Sequence, residues 1–144
     1  MKQKTTIAIR GIGGQGKSET IKLLRDILKM QFSNHIENLI LDDGDVKSIL
    51  EINNIKIGIE SQGDPKSRQG QSIIDFINDN CDIIICACRT SGETEINVLN
   101  TNNNGYRIIW ATNYRSKQIS NTQLNHISAN HLFEIVRDIL NGIL

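Results

Sequence analysis

A glycine-rich loop between a short apolar run and an amphipathic stretch constrains this chain more than any other feature. The loop, residues 11–18, reads Gly-Ile-Gly-Gly-Gln-Gly-Lys-Ser. Thr5–Arg10, before it, has the β-branched and apolar character of a strand, and Lys17–Phe32, after it, repeats aliphatic residues at helical spacing. A strand that passes directly into a helix through glycines is typical of α/β proteins, in which such a loop lies at the carboxyl edge of a sheet.

The rest of the chain continues this alternation of strands and helices. The further predicted strands are Asn38–Leu41, Ile55–Glu60, Asp82–Cys88 and Arg107–Thr112, and the further helices are Val46–Glu51, Ser67–Asn80, Glu93–Asn100 and Ala129–Ile143. A length of 144 residues suits one ordinary domain. We therefore expect a single domain over residues 1–144, with a three-layer α/β/α architecture around a mainly parallel five-stranded sheet.

Charge and composition argue against several classes of protein. Lys plus Arg and Asp plus Glu each number 16, so nothing indicates the large basic surface of a nucleic-acid-binding protein. No apolar run approaches the ~20 residues that cross a bilayer, and the first residues do not resemble a signal peptide. Cys81, Cys86 and Cys88 show no disulfide spacing, and they and the histidines show no zinc-binding spacing. We expect buried thiols, no zinc site, no membrane partner and a cytoplasmic location.

The chemistry of residues 11–18 suits a phosphate group. Glycines let successive backbone N–H groups curve around an anion, and the helix that begins near Lys17 directs its positive end toward the same point. Lys17 adds a mobile positive charge for the phosphates, and the hydroxyl of Ser18 suits Mg²⁺. The loop matches the pattern G-x-x-x-x-G-K-[ST] at every fixed position, and the chain thereby resembles the P-loop nucleoside triphosphate hydrolase superfamily, with the P-loop NTPase fold. The resemblance implies ATP and Mg²⁺ as cofactors, held by Gly11, Gly13, Gly14, Gln15, Gly16, Lys17, Ser18 and Glu19.

In this superfamily a carboxylate at the end of another strand accompanies the phosphate loop and orients Mg²⁺, directly or through water. The best match is Glu60, which closes the strand Ile55–Glu60 and begins an E-x-x-G stretch that ends at Gly63. GTPase-like members have D-x-x-G at this place, so the resemblance implies that Glu60 orients the metal with Ser18 and that Gly63 contacts the γ-phosphate. Asp64 is the alternative acid, and Glu60 is alternatively a solvated carboxylate at a strand end.

A second acidic segment follows the predicted strand Asn38–Leu41. Residues 41–47, Leu-Asp-Asp-Gly-Asp-Val-Lys, resemble the L-D-G-D-x-[VL]-R segment of adenylylsulfate kinases and similar small-molecule kinases, where it borders the acceptor pocket. This resemblance implies that Asp43 and Asp45 contact a substrate. An ordinary Asp-Gly turn explains the segment about as well.

Three polar residues that follow the middle strands are further candidates for contact with a substrate or with the γ-phosphate. Gln62 could position a water or an acceptor hydroxyl, and Arg68 could neutralise charge. Arg89 is the preferred catalytic arginine because it follows the strand Asp82–Cys88 directly, and its guanidinium could neutralise charge that develops in phosphoryl transfer. Each of these residues is alternatively an ordinary surface side chain.

The segment after the last predicted strand bears on the choice of base. GTPases read guanine with N-K-x-D at the equivalent place; here Asn113 matches the asparagine, whereas Tyr114 and Ser116 stand where lysine and aspartate would be. Because the carboxylate that accepts from guanine is absent from the motif, we expect ATP rather than GTP. Tyr114 is either a stacking group for the base or a structural tyrosine, and Arg115 is one more candidate for phosphate contact.

Three functions remain open from the sequence. The first is phosphoryl transfer from Mg·ATP to a small-molecule acceptor, kinase-like, with Lys17, Glu60 and Arg89 as catalytic residues. The second is slow NTPase activity in which the bound nucleotide switches an interface with a protein partner. The third is an ATP-binding module without useful turnover. We expect the first, although residues 89–106 are too short for the arginine-bearing lid of nucleoside monophosphate kinases.

Overall fold

The computed structural model describes residues 3–144, which form six strands, four α-helices and one 3₁₀ helix. In chain order these are β1 (Thr5–Arg10), α1 (Lys17–Gln31), β2 (Ile36–Asp42), β3 (Val46–Ile52), β4 (Ile55–Glu60), α2 (Gln69–Asn78), β5 (Ile83–Cys88), α3 (Glu93–Leu99), the 3₁₀ helix (Asn100–Asn104), β6 (Arg107–Ala111) and α4 (Asn121–Leu140). The predicted bounds of β1 and β4 agree with the structure. The closing helix begins eight positions earlier than predicted, at Asn121, because the side chain of Ser120 caps it by accepting from the N–H of Gln123.

One mixed sheet contains all six strands, in the order β2-β3-β4-β5-β1-β6. The neighbouring strands β4, β5, β1 and β6 run parallel, whereas β3 runs antiparallel to both β2 and β4. The α/β class is confirmed. The prediction of a mainly parallel five-stranded sheet is wrong, because the sheet has one more strand and one of its halves is antiparallel.

The additional strand is β3, which includes the segment Val46–Glu51 that we predicted to be a helix. Its apolar residues recur at helical spacing, but the segment pairs with strands on both sides. Asn53 and Asn54, with φ of 52° and 65°, connect β3 to β4 in a two-residue hairpin loop. Asparagine tolerates the left-handed conformation that such loops require, so this turn overrides the weak helical pattern.

Helices cover both faces of the sheet, and each face has its own hydrophobic core. Ile7 of β1 belongs to a buried cluster with Leu24 of α1 and Val136 of α4. The next residue, Ala8, belongs to a second cluster with Phe76 of α2, because successive residues of a strand point to opposite faces. The three cysteines are free and lie in this second cluster, in agreement with the prediction of buried thiols.

The loops that the sequence marks as functional meet at one edge of the sheet. The parallel strands end there. The turn between β2 and β3 lies at the same edge, because Lys47 at the start of β3 pairs with Glu60 at the end of β4. The N–H of Ser61 donates to the carbonyl of Val46 at 2.9 Å and fixes this turn beside the loop that follows β4. Residues 11–16, 43–45, 61–68 and 89–92 are therefore brought to the same edge.

Gly58, in the middle of β4, allows the ring of Phe76 to lie directly on the strand. A Cβ at this position would stand 2.5 to 2.7 Å from ring atoms of Phe76, which is fully buried. We expect Gly58→Ala to lower the free energy of unfolding by about 1–3 kcal/mol, because overpacking displaces the ring. Urea unfolding measures this loss. Combining Gly58→Ala with Phe76→Leu should cost less than the sum of the two single variants, and strict additivity would contradict the packing argument.

Candidate functional site

The glycine-rich loop turns sharply between β1 and α1. Gly14 and Gly16 both have a φ of 74°, in the left-handed region that favours glycine. α1 begins at Lys17, directly after Gly16. Gly16 has no side chain that could cap the helix, so no capping side chain accepts from the backbone N–H groups in the first turn of α1.

Beyond Gly11, whose N–H donates to the carbonyl of Cys88 at 3.1 Å, the backbone N–H groups of the loop have no acceptor among the described residues. Over the described residues 3–144, the amide N–H groups of residues 12–19 make no hydrogen bond, and the first N–H of this region to be paired is that of Thr20, to the carbonyl of Gly16. Unpaired amides at a helix N-terminus, with the positive end of the helix dipole behind them, form a binding site for an anion.

Lys17 folds back over this loop. Its ammonium group donates to the carbonyl of Ile12 at 3.1 Å and to the carbonyl of Gly11. The side chain is buried, and the pKa of Lys17 is lowered first by that burial and then by the positive charge of Arg89. The negative charge of Asp64 partly offsets this lowering of the pKa, but among the described residues no carboxylate bonds directly to the ammonium group of Lys17.

Ser18 is linked to a carboxylate by a short hydrogen bond. The Ser18 hydroxyl donates to Oδ1 of Asp45 at 2.7 Å, and the hydroxyl of Ser61 donates to the same oxygen at 2.7 Å. Burial, the largest single influence, raises the pKa of Asp45, but these two hydrogen bonds together with the positive charges of Lys22 and Arg68 keep it below the ordinary value. The acid next to Ser18 is therefore Asp45, which the sequence analysis had placed only at the substrate.

Glu60, predicted to orient the metal, is fully buried and engaged on both oxygens. Oε1 accepts from Nε of Arg68 at 2.7 Å and from the hydroxyl of Ser72, and Oε2 accepts from the N–H of Gln62 at 3.0 Å. The alternative interpretation of Glu60, as a solvent-exposed carboxylate at the end of a strand, is therefore wrong. Its partners give Glu60 a clear structural role, in joining the end of β4 to the start of α2.

The other predicted substrate residues divide into two groups. Asp43 accepts two hydrogen bonds of 3.0 Å from Arg68, which holds the pKa of Asp43 below its ordinary value. Asp43 and Arg68 thus belong to the same ion-pair network as Glu60. Gln62 lies instead against the cleft described next, with its side-chain oxygen accepting from the N–H of Arg68 at 3.1 Å.

A cleft of about 290 Å³ opens between the glycine-rich loop and the loop that follows β4. Its walls are Gly14, Gln15, Gly16, Lys17, Ser18, Glu19, Asp45, Ser61, Gln62, Gly63, Asp64, Ser67 and Ala87. Gly63 is required for this arrangement, because a Cβ there would stand 2.6 to 2.9 Å from atoms of Ala87 at the end of β5. The structure thus brings most of the predicted cofactor-binding residues into one space with Asp45 and Gln62.

Arg89 lies beside this cleft, bound to Asp64, which lines it. Its guanidinium donates twice to Oδ1 of Asp64, at 2.9 and 3.2 Å. The same group packs on Gly13, where a Cβ would meet guanidinium atoms at 2.8 to 3.2 Å. Arg89 is thus close to the glycine-rich loop, as expected of a phosphate contact, and is held there by a carboxylate.

The residues considered for base recognition lie on the other side of the loop. Asn113 donates to the carbonyl of Gln15 at 2.8 Å and more weakly to Asn125, so it supports the back of the loop. The ring of Tyr114 packs edge-on against His131 of α4 at 5.5 Å between centroids, with its hydroxyl 2.9 Å from Nδ1. These contacts favour the structural interpretation of Tyr114. Arg115 is exposed.

Comparisons with known proteins add no family to this description. Neither the protein-family models, nor the curated proteins, nor the solved structures give a match. In the described part of the chain, no three His, Cys, Asp or Glu side chains come together as a metal site. Among the same residues, none of the helices combines the length and the apolar character that crossing a bilayer requires.

Proposed function

We propose that this chain is a P-loop ATP-binding protein that transfers the γ-phosphoryl group of Mg·ATP to a small-molecule acceptor. The observation that carries the proposal is the run of unpaired amide N–H groups at residues 12–19, with the ammonium of Lys17 held over it. Backbone amides, a helix N-terminus and a lysine are the groups that hold the β- and γ-phosphates in P-loop proteins. The motif and its position between β1 and α1 support the same assignment.

The oxygen donors at the edge of the cleft suit Mg²⁺. The hydroxyl of Ser18 and the carboxylate of Asp45 lie within one hydrogen bond of each other, and hard oxygen ligands of this kind, completed by phosphate and water, are those that Mg²⁺ takes. When bound, the ion would neutralise charge on the β- and γ-phosphates. We propose Ser18 and Asp45 as the residues that hold it, in place of Ser18 and Glu60, because the oxygens of Glu60 already have partners.

The cleft beyond Ser18 has the lining expected of an acceptor site. Ser61, Gln62, Asp64 and Ser67 line it. The side-chain nitrogen of Gln62 and the second carboxylate oxygen of Asp64 have no hydrogen-bond partner among the described residues, and these groups can bind a small molecule that carries hydroxyl groups. Both nearby arginines, Arg68 and Arg89, are paired with carboxylates, so they leave little free positive charge for an anionic acceptor.

We propose ATP rather than GTP as the donor. In GTP-binding relatives of the superfamily an aspartate at the position of Ser116 would accept from guanine. Here the Ser116 hydroxyl accepts from the N–H groups of Gln118 and Ile119, at 3.0 and 3.2 Å, and so stabilises a turn. A small hydroxyl committed to the local backbone is a poor substitute for a carboxylate that reads a base.

Titration calorimetry with ATP, GTP and Mg²⁺ tests the proposal, followed by phosphate-release assays with and without a panel of polyols, sugars and amino alcohols. Tight Mg·ATP binding with turnover that rises when an acceptor is present supports a kinase. Turnover without acceptor, with self-association that differs between ADP and a non-hydrolysable ATP analogue, supports the switch alternative, which is favoured by the position of Gln62 and Gly63 in the cleft. Binding without turnover supports a module, and absence of ATP binding refutes all three.

Asp45→Asn should separate metal binding from phosphate binding. Asparagine keeps an oxygen that can accept from Ser18 and Ser61 but removes the negative charge that attracts the cation. We expect the gain in ATP affinity on adding Mg²⁺ to fall by about 10- to 150-fold, with metal-free affinity nearly unchanged, because one charge-assisted interaction is worth about 1.5–3 kcal/mol. Asp42→Asn, which removes a charge from the same hairpin, is the control. An Asp45→Asn protein with full Mg²⁺ dependence would contradict the assignment.

A further inference from the structure

The ion pair between Arg89 and Asp64 lies beside the cleft, next to the glycine-rich loop. Nε and Nη2 of Arg89 both donate to one oxygen of Asp64, at 3.2 and 2.9 Å, and the side chain of Asp64 is 70% exposed. Exposed ion pairs contribute little to stability, so this pair can separate at small cost. Asp64 also lines the cleft itself.

The guanidinium of Arg89 can change its partner without movement of the backbone. The N–H of Arg89 donates to the hydroxyl of Thr94 at 2.9 Å, which fixes the main chain at the start of α3. The side chain is about one-third exposed and rests on Gly13 of the glycine-rich loop. The rotamers of a long arginine side chain therefore reach either Asp64 or a group held by that loop.

We propose that Asp64 keeps the guanidinium of Arg89 occupied until a triphosphate is bound, and that the exchange of Asp64 for the terminal phosphate sets the preference of the protein for ATP over ADP. The inference rests on the proposed function. A terminal phosphate beside Lys17 and Ser18 can present two oxygens to the guanidinium, whereas Asp64 accepts from it with only one of its two oxygens. Charge-assisted pairs that use both arms of an arginine are the stronger kind, so the phosphate displaces the carboxylate.

The exchange of partners by Arg89 affects the binding of a triphosphate but not that of a diphosphate, whereas a general effect of charge would change the binding of both. A diphosphate ends before the position that Arg89 would contact and leaves the pair with Asp64 in place. Part of the binding energy of a triphosphate is instead spent on separating Arg89 from Asp64. Removal of the Asp64 charge should therefore strengthen the binding of the triphosphate selectively, and only while Arg89 is present.

Titration calorimetry with Mg²⁺ and either ADP or a non-hydrolysable ATP analogue tests this prediction on Asp64→Asn. The backbone carbonyl of Asp64, which accepts from Ser67, is unaffected by the change. We expect the analogue to bind about threefold to fivefold more tightly, the range that an exposed ion pair can supply, and ADP to bind as before. In the background of Arg89→Ala the gain should disappear, which completes a double-mutant cycle.

Asp79→Asn is the matched control, because Asp79 forms an exposed ion pair with Lys56 at the opposite edge of the sheet. This substitution should change neither the affinity for ADP nor the affinity for the ATP analogue. Equal tightening of both nucleotides by Asp64→Asn, or a gain that persists without Arg89, would overturn the inference in favour of simple charge relief. If the wild-type protein binds no ATP analogue, the proposed function itself fails; if it binds the analogue and Asp64→Asn leaves the ratio of the two affinities unchanged, only this inference fails.

Discussion

Lys17→Ala is expected to remove most of the rise in unfolding temperature that ATP produces. A ligand at 100 times its dissociation constant stabilises the native state by about 2.7 kcal/mol, which corresponds to roughly 5–10 °C for a chain of this length. Lys17 holds a nearly desolvated positive charge over the unpaired amides of the loop. Its loss should weaken ATP binding by about 100-fold, the cost of one or two hydrogen bonds to a charged group, and reduce the shift to about 1–2 °C.

The fold should survive this substitution. The ammonium of Lys17 contacts only backbone carbonyls of the loop among the described residues, and alanine is favourable at the start of a helix. Thermal unfolding of the variant without ligand checks this point. Lys56→Ala, which removes a lysine from an ion pair at the opposite edge, should keep the full ATP-dependent shift. A Lys17→Ala protein that shifts like the wild type would remove Lys17 from the site and, with it, the main support for nucleotide binding.

Glu60→Gln is expected to have the largest effect on stability. Glu60 is fully buried, and its carboxylate is the partner of Arg68, whose side chain is only 18% exposed. Breaking a buried pair by removing one charge typically costs about 3–5 kcal/mol, because the remaining charge loses its compensation. We expect about 3 kcal/mol, since Arg68 keeps its second partner, Asp43. Urea unfolding measures the loss.

A double variant distinguishes this structural role from the metal role that the sequence suggested. Glu60→Gln combined with Arg68→Met removes both charges and should recover part of the lost stability. If Glu60 instead acts mainly on Mg²⁺, Glu60→Gln would leave the unfolding midpoint near that of the wild type and reduce the Mg²⁺ dependence of ATP binding. The comparison with Asp45→Asn then shows which carboxylate faces the metal.

The parts of the fold that the sequence predicted well are those decided by local signals. β1 and β4 are short apolar runs bounded by glycine, asparagine or serine, and their predicted ends agree with the structure. α1 begins at the predicted residue because the motif places its lysine directly after a glycine that lies in the left-handed region. The glycine-rich loop itself is recognisable because each position has its own physical requirement.

The parts that failed depend on pairing between segments distant in sequence. Six residues of β3 fit a helix and a strand equally well. Their pairing with β4 follows from the Asn53-Asn54 turn, and this asparagine pair between two apolar runs is the signal in the sequence that indicates a hairpin. Because β3 is a strand that pairs with β2, the Asp-Gly segment forms the hairpin turn between them, and this turn places Asp45 beside Ser18. The ion pair of Glu60 with Arg68 could not be predicted, because it depends on the exact approach of α2 to the end of β4.

The position of Asp45 on the β2–β3 hairpin has a consequence for cooperativity within the site. The groups proposed for the phosphates lie on the loop between β1 and α1, beside strands that are paired on both sides. The carboxylate proposed for the cation lies on a hairpin at the edge of the sheet, whose terminal strand is largely exposed. Outer elements of this kind open in sub-global fluctuations more readily than central ones. Transient opening of the hairpin would thus move the carboxylate of Asp45 out of the site while the amides of residues 12–19 stay in place. Under the proposed assignment, binding of the cation would make the hairpin more rigid, and a more rigid hairpin would bind the cation more tightly.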